Sequence, residues 1–86
     1  MIVADVLSSE IEGIIKNIFF EVFPNLSEKE FSWNKEQKDY ESWDSFAQLN
    51  LITFVESKFD ITLSLEESID IKSAHDLLEC VRSHLK

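Results

Sequence analysis

Glycine and proline are almost missing from this chain: each occurs once, as Gly13 and Pro24. That shortage leaves no material for a glycine-rich phosphate loop. It also argues against a many-stranded β fold, which needs a turn signal every few residues. Cysteine is as scarce. Cys80 stands alone, so no disulfide can form within the chain, and a reducing, cytoplasmic setting is expected. No apolar run reaches the roughly 18 residues of a membrane span. The first residues lack the basic flank and cleavage pattern of a secretory signal. Bases are few: eight Lys and Arg face 17 acids, for a net charge of -9. The acids are spread evenly, six in residues 1–34, six in 35–60 and five in 61–86. Nucleic acid and anionic membrane surfaces are therefore disfavoured partners, since both call for clustered Lys and Arg. Basic patches on other proteins are favoured. Simple solubility would explain the same acidity.

What is present is apolar and helical. The 86 residues are 44% hydrophobic, enough for one domain, 1–86, burying roughly 60% of its unfolded surface. The periodicity predicts an all-α, four-helix up-down bundle with a short third helix and a long first loop. On a wheel of about 100° per residue, Val3, Leu7, Ile11, Ile14, Ile15, Ile18 and Val22 share one stripe, giving a first helix over 3–22. Ser9 and Glu12 have capping-box spacing, which would start the helix near Glu10. The stripe runs further upstream, so a start near Ala4 is favoured, and Pro24 ends the helix. Residues 24–44 form a long connection. Ser27-Glu28-Lys29-Glu30 predicts a turn of helix inside it, and Phe31, Trp33, Tyr40 and Trp43 predict an ordered loop pinned by aromatics.

The second helix is predicted over 45–59, with Ala47, Leu51, Ile52, Phe54, Val55 and Phe59 as its buried face. Ser45, Asn50, Thr53, Glu56 and Ser57 fall opposite. Two large apolar residues, Phe46 and Leu49, sit among those polar positions, which a simple bundle does not require. Residues 60–65 alternate apolar and polar but have no partner strand, so an extended link is expected. Glu66–Ile69 reads as a short third helix. Ser73 caps the last, with Asp76 at the matching box position and Ala74, Leu77, Leu78, Val81 and Leu85 as its stripe.

Chemistry concentrates at the loop-to-helix junction Trp43-Asp44-Ser45-Phe46. A serine at a helix start holds its hydroxyl beside backbone N–H groups that have no acceptor within the helix. A phosphate attached there gains from those donors and from the helix dipole, by about 0.3–1 kcal/mol at an exposed position. Asp44 could hold a metal ion or a basic residue of a modifying enzyme. Phe46 and Leu49 supply an apolar ledge beside the hydroxyl. The competing reading is that Ser42, Asp44 or Ser45 only caps the helix, a role worth about 1 kcal/mol.

The run Trp43-Asp44-Ser45-Phe46-Ala47-Gln48-Leu49-Asn50-Leu51-Ile52, followed by Val55-Glu56-Ser57-Lys58-Phe59-Asp60-Ile61-Thr62-Leu63, resembles the acyl carrier protein family, in its stand-alone form. That family places Asp-Ser-Leu at the head of its second helix and follows it with an apolar-rich helix and an extended segment. The resemblance spans the whole chain. It implies a carrier with no active site of its own, in which Ser45, preceded by the motif acid Asp44, receives 4'-phosphopantetheine from coenzyme A. It also implies a phosphopantetheinyl transferase, a loading ligase or transferase and a downstream synthase or transferase as partners. Acyl or aminoacyl groups would ride as thioesters on a monomeric carrier. Two departures bear on cargo and docking. Phe46 stands where Leu or Met is usual, as in some D-alanyl carriers. Ala47, Gln48 and Asn50 stand where acids are common. Partner recognition is therefore expected to shift towards Phe46, Leu49 and Glu56, with Glu66, Glu67 and Asp70 of the next segment.

Two other function classes remain. One is a small acidic helical adaptor that binds a partner, unmodified, through Phe46 and Leu49. The other is a small hydrolase, which requires a histidine within reach of Ser45. No metal site is expected: His75 and His84 lie nine apart with no ligand cluster at suitable spacing. Cys80 reads as a partly buried structural thiol, with no base assigned to it. The loop aromatics read as core plugs rather than a ligand cage.

Overall fold

A computed structural model describes residues 3–85, with side chains from Ser9 onward. Among the described residues the chain forms four helices: α1 Val3–Val22, α2 Ser45–Phe59, α3 Leu65–Asp70 and α4 Ala74–His84. A single 3₁₀ turn at Gln37–Asp39 interrupts the long connection. The architecture is the small all-α bundle that the periodicity predicts, with the short third helix and long first loop in place. α1 packs against both α2 and α4. Ile11, Ile15 and Ile18 of α1, Leu51 and Val55 of α2, and Leu77 and Val81 of α4 are buried between them. Each such side chain contributes about 1.5–3 kcal/mol by leaving water.

Local chemistry sets the helix ends. α1 runs through Ser9 without restarting there, and it ends at Val22, just ahead of Pro24. The expected contributions of Val3 and Leu7 to its stripe lie outside the described side chains. At the far end of α2, Asp60 takes the left-handed conformation (φ 55°), and its N–H donates to the Glu56 carbonyl. Asp tolerates this better than most residues because its short polar side chain bonds locally. Ser64 caps α3, its hydroxyl accepting from Glu67 N–H at 3.1 Å, while Ser64 N–H donates to Glu67 Oε1 at 2.9 Å. α3 therefore starts at Leu65, inside what the alternation suggests is an extended link. Ser73 caps α4 by accepting from Asp76 N–H at 3.0 Å. Asp76 does not close the box. Its carboxylate accepts from Lys72 N–H instead, at 3.0 Å.

Three core assignments change. Phe54 is 37% exposed rather than buried: on the wheel it lies about 60° from Leu51 and about 100° from Val55, at the edge of the packed face. Phe59 is only half-buried. Leu85 lies beyond the last turn of α4 and is exposed. Conversely, Phe19 and Phe23 are buried although the α1 stripe does not include them. On the wheel they fall about 40–80° to one side of it, and the long loop covers that side.

The loop is ordered by aromatic packing. Phe19 meets Phe31 and Trp43 edge-on, with ring centroids 5.8 and 5.6 Å apart, and Tyr40 stands edge-on to Trp43 at 5.1 Å. Ser27 and Glu30 form the expected reciprocal bonds, at 3.0 and 3.2 Å. They close one turn only, and no helix grows from it. Backbone bonds tie the loop to the start of α4: Gln37 N–H donates to Lys72 O at 2.7 Å and His75 N–H to Trp33 O at 3.0 Å. The loop thus delivers Trp43 into the core and Asp44 to the surface at a defined point.

Candidate functional site

The N-cap of α2 is Asp44. Its Oδ1 accepts from Ala47 N–H at 2.9 Å, and its own carbonyl accepts from Gln48 N–H at 2.9 Å. Capping therefore falls to the acid and leaves the neighbouring hydroxyl out of it. Ser45 occupies the first helical position, is exposed, and its Oγ has no hydrogen-bond partner among the described residues. The backbone N–H groups of Ser45 and Phe46 have none either. An unengaged hydroxyl with two unengaged donors beside it is a geometry into which an attached phosphate fits. No histidine bonds Ser45 Oγ. His84 bonds Glu67 instead.

The residues beneath Ser45 are packed and hydrogen-bonded. Trp43, two residues earlier, is 5% exposed. Its indole N–H donates to Gln48 Oε1 at 2.6 Å, and Gln48 Nε2 donates to Ser68 O at 2.6 Å and Ile71 O at 3.2 Å. An indole only donates and a carbonyl only accepts, so these partners fix which way the amide faces. Gln48 thereby joins the loop, α2 and the end of α3 in one network. The wheel carries a signal for that role: Gln48 falls between Val55 and Ile52, a polar residue inside the apolar arc, and it is half-buried.

Two large apolar side chains close behind Ser45 on α2 face outward. Phe46 is 71% and Leu49 60% exposed, as the wheel predicts. Two residues of α3 that the sequence reading does not single out, Leu65 and Ile69, are exposed at 77% and 61%. Their spacing of four, on a helix with no buried residue, is the signal that could find them. Of the acids expected to meet a partner, Glu66 and Asp70 are exposed and make no hydrogen bond or ion pair among the described residues. Glu56 and Glu67 are engaged internally. Glu56 Oε2 accepts from Leu63 N–H at 2.8 Å and holds the link after α2. Glu67 closes the α3 capping box and also bonds His84 Nε2 at 2.8 Å. Its carboxyl is held below the usual range, first by the Ser64 N–H and then by His84.

Glu67 also corrects the reading of Cys80. Cys80 and His84 lie one helical turn apart on α4, and α3 brings the Glu67 carboxylate to both, with Cys80 Sγ 3.8 Å from Glu67 Oε2. A histidine and an acid therefore do stand beside the thiol. They do not make it a nucleophile: burial, then the neighbouring Glu67 charge, push it up to about 11. Tyr40 is buried, its hydroxyl has no hydrogen-bond partner among the described residues, and burial likewise pushes it up. Among the described residues no helix is long and apolar enough to cross a membrane.

Comparison with known proteins gives no significant match: no family model fits the chain, and no curated protein or solved structure matches it.

Proposed function

We propose that this chain is a carrier protein that holds acyl or aminoacyl groups as thioesters on a 4'-phosphopantetheine arm attached to Ser45. One observation carries the reading: Asp44 takes the cap, so the Ser45 hydroxyl stands exposed with no internal partner at the head of an apolar-edged helix. A serine kept only for capping would spend its oxygen on the helix. The motif resemblance along Trp43–Leu63 supports the same reading from the sequence side.

In the attachment step Ser45 Oγ bonds to the phosphorus of coenzyme A that bears the pantetheine. The pyrophosphate bond breaks, adenosine 3',5'-bisphosphate leaves, and the hydroxyl proton passes to a base of the phosphopantetheinyl transferase. The bound arm supplies the thiol that carries the cargo, a task for which the raised Cys80 thiol is poorly suited. The chain's own residues do the rest. The N–H groups of Ser45 and Phe46 would be the donors available to an attached phosphodiester. Phe46 and Leu49 offer an apolar surface to the transferase, to a loading ligase or transferase and to a downstream synthase or transferase, and Glu66 and Asp70 of α3 are exposed acids. On this reading the protein is a monomeric, non-enzymatic, cytoplasmic carrier.

Incubation with coenzyme A and a broad-specificity phosphopantetheinyl transferase, followed by intact-mass measurement, tests it. The expected result is a gain of one phosphopantetheine in the native chain and none in Ser45→Ala. No gain in the native chain, or an equal gain in the variant, overturns it. The exposed Phe46 and Leu49 also suit an unmodified adaptor, which would lose partner binding on Phe46→Ala or Leu49→Ala and be indifferent to Ser45→Ala.

A further inference from the structure

We propose that Glu67, Cys80 and His84 form a site for one zinc ion that ties α3 to α4. The inference does not depend on the carrier reading. It rests on geometry: a carboxylate oxygen, a thiol sulfur and an imidazole nitrogen, one ligand atom each, lie within 4.8 Å of one another. Cys80 and His84 are four apart on one helix and so share a face. Glu67 reaches them from a different helix. Bond lengths of about 2.0–2.3 Å to zinc place tetrahedral ligand atoms about 3.3–3.8 Å apart. The separations here are 2.8 Å for His84 Nε2 to Glu67 Oε2 and 3.8 Å for Cys80 Sγ to the same oxygen. The third pair, Cys80 and His84, lies within the same 4.8 Å, and the closest pair has to open by about half an ångström to take the ion.

The donor set selects the metal. Calcium and magnesium take oxygen ligands in larger numbers, whereas a sulfur, an imidazole and a carboxylate suit zinc. Binding displaces the thiol proton to solvent, and the thiolate and the carboxylate then balance the two positive charges of the ion. Glu67 is already steadied for the task. Its Oε1 accepts from Ser64 N–H at 2.9 Å, which leaves Oε2 aimed at α4, the kind of outer hydrogen bond that orients metal ligands. Beside the cluster a cleft of about 350 Å³ is lined by Glu67, Asp70, Asp76, Glu79 and Cys80, among others. It offers a path of negative potential for a cation and room for water as the fourth ligand. α3 gains most from such a tie, since it is six residues long and buries none of them.

The experiment uses the full chain, reduced and stripped with a chelator. Zinc is titrated against a competing chromophoric chelator, and cobalt(II) is added in parallel as a spectroscopic stand-in. One equivalent of zinc is expected to bind, with a rise in melting temperature. Cobalt is expected to show the thiolate-to-metal charge-transfer band of a Cys-bound ion. Cys80→Ser should abolish that band and weaken zinc at least tenfold, and His84→Asn and Glu67→Gln should each weaken zinc at least tenfold. Asp70→Asn, on the rim, should change affinity less than threefold. Absence of the charge-transfer band, or zinc affinity unchanged in His84→Asn, overturns the proposal. If Cys80→Ser fails to fold, the cobalt spectrum of the native chain and His84→Asn, at the exposed end of α4, still decide it.

Discussion

Trp43 and Ser45 are two residues apart and treated in opposite ways. Trp43 is enclosed by Phe19, Phe23 and Tyr40, and its indole N–H is bonded to Gln48. Ser45 is exposed, and neither its hydroxyl nor its N–H is engaged. The residue between them, Asp44, makes the division possible by capping α2 itself. The end of the loop turns Trp43 inward, and the first two residues of the helix, Ser45 and Phe46, turn outward. A reactive group is most useful to a partner when it is free and its base is fixed, because binding then pays little to order it. The contrast across three consecutive residues is what sets this junction apart from an ordinary helix start, and it can be attacked from either side.

The largest expected effect lies on the inward side. Trp43→Ala removes a ring that meets Phe19, Phe23 and Tyr40 and the donor to Gln48, and should lower unfolding free energy by about 3–5 kcal/mol. Urea denaturation followed through far-ultraviolet circular dichroism measures it. A loss below about 1 kcal/mol would mean that the loop is not anchored by this residue. Gln48→Leu comes next. It keeps the bulk but leaves the buried indole N–H and the carbonyls of Ser68 and Ile71 without their partner. A cost of about 1–3 kcal/mol is expected. Faster amide exchange in α3 than in α1 would localise the loss to the network. Uniform exchange would show that Gln48 does not hold α3.

How much of this the sequence reveals depends on whether a feature belongs to one element or to several. Phe46 and Leu49 are legible because a helical wheel needs only α2 to place them outward. The ends of α1, α2 and α4 are legible from Pro24, the Asp44–Ser45 junction and Ser73, all local signals. Phe54 is misplaced because the wheel gives its angle but not how far the packed face of α2 extends. The burial of Phe19 and Phe23 follows from a loop that approaches α1 from the side, which no periodicity within α1 encodes. Gln48 bonds residues 20 and 23 positions away, and Glu67 meets His84 at a separation of 17. The spacing of four between Cys80 and His84 is visible along the chain. The carboxylate that completes the cluster arrives only through the packing of α3 on α4.

The smallest effect is the most discriminating, because it compares adjacent residues. Asp44→Ala removes the carboxylate that accepts from Ala47 N–H and should cost about 1 kcal/mol, the usual worth of an N-cap. Ser45→Ala removes a hydroxyl that makes no bond among the described residues, so stability should stay within about 0.5 kcal/mol. Alanine is also the better helix former, which pushes any residual change towards stabilisation. Both variants fit one set of urea melts with the native chain as reference. If Ser45→Ala instead costs as much as Asp44→Ala, the hydroxyl is serving the helix in solution. The division of labour between the two residues then collapses, and with it the strongest structural reason for reading Ser45 as an attachment point.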